Sequence, residues 1–178
     1  ENIENYIAKL LSEDKVIARF NGKMEFGPRA LGNRSILYSA KDPSVNNWLN
    51  QKLKRSEFMP FAPVVMDEIS KDYFKINQNI PTKYMTIVCE VTKKCKKECP
   101  AIVHVDNTAR PQVVSKLDNL KLWNILNEYK KITGTGVLVN TSFNMHEEPI
   151  VCSPSDAIRA FNEASLDGMA IGNYFVWK

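Results

Sequence analysis

Gly136-Val137-Leu138-Val139-Asn140-Thr141-Ser142 is the stretch on which the fold reading turns. Its apolar half carries no charge and is rich in β-branched side chains, as in a strand buried on both faces. Upstream, Leu122, Ile125, Leu126 and Tyr129 share one helical face across 119–132. Asp118 is the expected cap of that helix and Gly134 its stop. Downstream, Ser153-Pro154-Ser155-Asp156 opens a second helix over 154–164, with Pro154 in its first turn. Helix, buried strand, helix is the α/β pattern.

The same alternation continues toward both ends. Ile3, Ile7, Leu10 and Leu11 predict a helix over 2–13, and Asp42-Pro43-Ser44 starts another over 43–53. Strands are expected at 15–20, 35–39, 61–68 and 85–91, with a further pair at 101–105 and 109–115. One or two more fall in 169–177. No repeat, low-complexity tract or internal linker interrupts this order, so residues 1–178 read as one α/β domain.

Composition narrows the class. Hydrophobic residues make up 44%, which argues against wholesale disorder. The longest apolar runs, such as AIVHV, are far too short for a membrane span. The net charge of +4 suits a phosphate ligand but is too small to argue for a nucleic-acid surface. Cys95 and Cys99 lack a second cysteine pair or a nearby histidine, so no protein metal site is expected. Free thiols in a reducing cytoplasm are the expectation for all four cysteines. The acidic start does not resemble a signal peptide, and with Glu1 in first place a longer parent chain is expected.

Three segments carry more chemistry than a scaffold needs. In GKMEFGPRALGNRS (22–35), glycines flank Arg29 and Arg34. Glycines let backbone approach a ligand, and guanidinium forks match phosphate oxygens; a solvated surface loop is the plain alternative. In KLKRSEFMPFAP (52–63), Lys54 and Arg55 end a helix before two prolines. They either meet the helix dipole or are presented in one direction by a stiff turn. In VNTSFNMHEEPI (139–150), Asn140, Ser142 and Asn144 sit at a strand's carboxyl end, where α/β sheets bind ligands. The alternative is a polar turn that satisfies its own backbone.

Taken together, GKMEFGPRALGNRSIL, KRSEFMPFAPVV, HVDNTARPQVV and NTSFNMHEEPIV followed by SPSDAIRAF resemble the C-terminal domain of the carbamoyltransferases. That family includes nodulation-factor and antibiotic O-carbamoyltransferases. The resemblance covers nearly the whole chain, in order. It implies a YrdC-like fold, a twisted mixed sheet flanked by helices. It further implies that the domain binds carbamoyl phosphate and ATP, with Mg²⁺ on the nucleotide, and forms carbamoyl-adenylate. The carbamoyl group would then pass to a hydroxyl in a separate actin-like N-terminal domain of the same polypeptide.

The same resemblance makes Arg29, Arg34, Lys54, Arg55, Arg110, Asn140, Ser142 and Asn144 the expected ligand contacts, with Lys54 and Arg110 as catalytic cations. A structural Arg110, paired for instance with Asp106, is the alternative. Two positions depart from the family pattern. Met59 stands where some members have an arginine directly before PFAP, and Glu147 where many have a glycine after the histidine or its equivalent. A reading from a different class is a non-catalytic nucleotide- or RNA-binding module of the same fold.

Overall fold

Ile36 and Tyr38 lie in one apolar cluster while Leu37, between them, lies in another. Val137, Leu138 and Val139 divide in the same way. Side chains alternate along a strand, so an apolar run here feeds two cores, one on each face of a sheet. The computed structural model describes residues 2–54, 60–77 and 80–178.

In chain order the elements are α1 (Ile3–Ser12), β1 (Ile17–Phe20), β2 (Arg34–Ser39), α2 (Val45–Lys52), β3 (Ala62–Met66), α3 (Ser70–Tyr73), β4 (Cys89–Glu90), α4 (Lys93–Glu98), β5 (Thr108–Ala109), β6 (Gln112–Val114), α5 (Leu120–Thr133), β7 (Val137–Ser142), α6 (Pro154–Ala164), β8 (Gly168–Ile171) and β9 (Tyr174–Trp177). Seven strands form one sheet in the order β6-β3-β7-β2-β1-β8-β9. The β1/β8 and β3/β6 pairs are parallel and the rest antiparallel, so the sheet is mixed as expected. Strands β4 and β5 form a separate small ladder.

Helices α1 and α5 cover one face, where Ile7, Leu11, Leu122 and Leu126 pack with Leu37 and Leu138. On the other face Leu49 of α2, Cys95 of α4 and Phe161 of α6 pack with Ile36 and Val139. The Ser153 hydroxyl accepts from Asp156 N, and the Asp156 carboxylate accepts from Ser153 N in return. This reciprocal box starts α6. Helix α5 ends at Gly134 with φ +82°, as expected of a left-handed stop.

Four expectations need correction. Asn119 caps α5 by accepting from Leu122 N, whereas Asp118 accepts from Ser115 N and Oγ. The predicted strand 85–91 shrinks to Cys89–Glu90, and Val88 is exposed. Residues 101–105 hold the end of a short 3₁₀ turn, Pro100–Ile102, in place of a strand. The 109–115 strand is broken into β5 and β6 around Pro111, which has no N–H to donate. Strand propensity expresses a fit to a sheet surface. No strand of the large sheet pairs with 85–91 or 101–105; the first keeps only the short ladder to β5 and a bridge from Val91 to Phe74.

All four cysteines are free, and only Cys152 is exposed. Burial pushes the Cys95 thiol up to about 12. Among the described residues no helix is long and apolar enough to cross a membrane.

Candidate functional site

Strand β7 runs antiparallel to β2 and β3, and β6 runs parallel to β3. The carboxyl end of β7 therefore meets the amino ends of β2, β3 and β6 at one side of the sheet. The 21–33 loop between β1 and β2 arrives there, as does Arg110, just before β6. These segments and the 143–150 loop enclose a cavity of about 510 Å³. That volume is in the usual range of small-molecule sites.

Arg29, Arg110, Asn140, Ser142 and Asn144 all line this cavity. The other expected contacts are placed differently. Arg34 is 4% exposed and lies elsewhere: its guanidinium donates to the carbonyls of Asn21 (3.0 Å), Asn33 (2.9 Å) and Gly22 (3.1 Å) and lies over the Phe20 ring. It holds the root of the loop. Lys54 is exposed just beyond α2 and is not among the lining residues. Its charge reaches the rim only as a minor contribution to the lowered Glu148 carboxyl, which Arg159 dominates. Arg55 and Met59 lie outside the described residues.

The glycine loop is shaped by groups inside and outside it. Glu25 Oε1 accepts from Leu31 N at 2.7 Å and from Asn33 N at 2.6 Å. Buried Arg19 donates to the Gly32 carbonyl, and burial lowers its proton affinity. Gly32 has φ +117°, and a Cβ there would stand 2.5 Å from Leu122 Cδ2. Backbone conformation and the packing of α5 both demand glycine at this point. The loop is thus fixed at its root, while Arg29 is exposed in the cavity wall.

The electrostatics of the wall favour an anion. Arg110 makes no hydrogen bond or ion pair among the described residues, and its buried Nε has no acceptor. Burial first, and the Arg29 charge second, hold its guanidinium below the ordinary value. Asp106 is not its counterion, because that carboxylate accepts from Thr108 N and Oγ1. Glu148 on the rim is committed to Arg159, at 2.6 and 3.0 Å. The two asparagines each turn their amide nitrogen inward. Asn140 Nδ2 donates to Gln112 Oε1, and Asn144 Nδ2 donates to the Met145 and Glu148 carbonyls. Their Oδ1 atoms are buried without partners. Glu147 adopts φ +62°, a conformation natural to glycine.

A family model described as carbamoyltransferase C-terminus matches residues 8–178. The chain belongs to that family. The carbamoyltransferase C-terminal domain is 41% identical over 170 residues to the uncharacterized protein MJ1058 of Methanocaldococcus jannaschii, covering 95% of this chain and 28% of that protein. It is 38% identical to nodulation protein NolO of Bradyrhizobium diazoefficiens, covering 100% and 33%. The chain therefore spans about a third or less of these relatives' length. Its fold is shared with part of full-length HypF, solved in a phosphate- and nucleotide-bound form. The TM-score is 0.70 at 19% identity, covering 96% of this chain and 25% of that one.

Two residues that shape this domain's cavity escaped the sequence reading: Arg19 and Gln112. The available signal was weak. Arg19 is a cation inside an apolar strand, and Gln112 is a polar residue opening one. Both patterns point to a buried polar partner without naming it.

Proposed function

We propose that the cavity binds ATP and carbamoyl phosphate and forms carbamoyl-adenylate, and that the chain is the adenylate-forming part of an O-carbamoyltransferase. The observation that carries this reading is the pair Arg29 and Arg110, two cations on one cavity with no carboxylate partner among the described residues. The phosphate- and nucleotide-bound HypF, which shares the fold, supports the ligand class.

Water releases carbamate and phosphate from carbamoyl phosphate. A carbamate oxygen then bonds to the α-phosphorus of ATP, and the bond to pyrophosphate breaks. Both reactants are anionic, so the arginines offset their repulsion and the charge on the transferring group. Ser142, whose hydroxyl has no hydrogen bond among the described residues, lines the cavity and is available to a phosphate oxygen. Among the described residues no three acidic, histidine or cysteine side chains cluster. Neutral oxygens of Asn140 and Asn144 in the wall fit a Mg²⁺ held mainly by nucleotide phosphates. The acceptor hydroxyl is assigned to an N-terminal domain of the same polypeptide, in line with the greater length of the relatives. A cytoplasmic setting supplies the ATP.

Calorimetry and pyrophosphate release on the full-length protein test the reading. ATP should bind, and pyrophosphate should appear only when carbamoyl phosphate is present. ATP binding without any pyrophosphate release would favour the non-catalytic binding module. Absence of ATP binding would overturn the assignment.

A further inference from the structure

Gln112 opens β6 and is 2% exposed, yet it is polar at both ends of its amide. Its Nε2 donates to the Leu31 carbonyl at 2.8 Å, and its Oε1 accepts from Asn140 Nδ2 at 2.8 Å. Asn140 Nδ2 also lies 3.4 Å from the Ala30 carbonyl. A carbonyl can only accept. The Leu31 carbonyl therefore orients the Gln112 amide, and Gln112 in turn orients the Asn140 amide. Strand β3 lies between them, with Val64 paired to Gln112 and Ala62 paired to Asn140. Two buried side chains thus reach over β3 and hold the carbonyls of the two residues that follow Arg29.

Arg29 itself has no hydrogen bond or ion pair among the described residues, so its backbone must place it. Arg110 stands two residues before Gln112, with only Pro111 between them. One rigid segment therefore delivers Arg110 to the cavity directly and reaches Arg29 through the loop carbonyls. We infer that Gln112 is a positioning residue that sets Arg29 relative to Arg110, and that it matches the spacing of the two guanidiniums to a phosphate-bearing ligand. The ligand part of this inference rests on the proposed function; the anchoring part does not.

Two measurements on the full-length protein test it. The first is amide hydrogen exchange without ligand. In Gln112→Met the 27–33 segment should exchange at least about fivefold faster, while α5 and β8 keep their rates. The second is ATP titration of Arg29→Ala, Gln112→Met and the double variant. Each single change should weaken binding about tenfold, and the double variant should be little worse than either, since both remove one effect. Should Gln112→Met fail to fold, Gln112→Asn keeps an amide on β6 but is one methylene too short to span both partners.

Unchanged exchange at 27–33 overturns the anchor. Additive losses, or full-strength ATP binding by the Gln112 variant while Arg29→Ala is impaired, overturn the positioning role. If the unmodified protein binds no ATP, the proposed function and the ligand part fall together, and the exchange measurement still decides the anchor.

Discussion

Arg29 and Arg110 share one cavity wall, and after burial the Arg29 charge is what holds the Arg110 guanidinium below its ordinary proton affinity. Like charges held together without a counterion raise the energy of the empty site, and an entering dianion relieves them.

Replacing Arg110 by Ala should therefore weaken ATP binding by about 1.5–3 kcal/mol, the worth of a hydrogen bond to a charged group. Arg110→Lys should recover only part, because an ammonium cannot grip two oxygens with a planar fork. Thermal stability should not fall, since the change removes an unpaired cation from beside Arg29. Calorimetry and melting of the same variants decide the matter. Lost stability with intact binding would remove Arg110 from the site.

Arg34 should behave in the opposite way. Its removal strips donors from the Asn21 and Gly22 carbonyls and leaves a cavity over Phe20. Arg34→Ala should cost about 2–4 kcal/mol in denaturant unfolding, as expected when buried acceptors lose their partners. Arg34→Lys should restore little, because a single ammonium cannot reach the separate carbonyls with one planar group. A fully stable Arg34→Ala would show that the loop root is held by Arg19 and Glu25 without it.

Glu147 sits at φ +62° on the rim of the cavity. A left-handed residue with a Cβ costs about 1–2 kcal/mol, against which glycine's larger unfolded-state entropy takes back about half. Glu147→Gly should stabilise the fold by about 0.5–1 kcal/mol. Glu147→Ala keeps the Cβ and should change melting little. Equal gains from both would mean that charge, not backbone conformation, matters at this position.

Backbone bonds from Ser153, then its hydroxyl, then the Cys152 N–H hold the Asp156 carboxyl below the usual carboxylate range. A depressed folded value means the contribution is present above the unfolded value of about 3.9 and is lost as pH falls through the folded value. Asp156→Asn should melt lower than the parent at pH 7, and the gap should close below about pH 4. A gap that is constant from pH 7 to pH 3 would assign the effect to side-chain shape.

Much of the scaffold was legible in the residues. Helices α2, α5 and α6 and strands β1, β2, β3 and β7 fall where periodicity, Pro154 and Gly134 put them, since these signals are local. In 85–91 only Cys89–Glu90 is strand, and 101–105 has none, because β-branched composition states a preference while a strand extends only as far as a neighbour pairs with it.

The candidate site divides along the same line. The family resemblance singled out Arg29, Arg110, Asn140, Ser142 and Asn144 together with Arg34, Lys54 and Arg55, and the cavity gathers the first five. It could not separate Arg34 from Arg29, because the two sit in one loop with the same side chain. Only the folded chain turns Arg34 onto the Asn21, Gly22 and Asn33 carbonyls and leaves Arg29 exposed to the cavity. Likewise nothing local joins Gln112 to Leu31 and Asn140. Their contact depends on β6 and β7 flanking β3, and strand order is set by which apolar faces pack together over the whole chain. Local sequence thus determined which groups are available and what each backbone segment prefers. Tertiary structure decided which cations are neutralised by buried carbonyls and which are left for a ligand, because a buried hydrogen bond is worth its energy only where the fold supplies the partner.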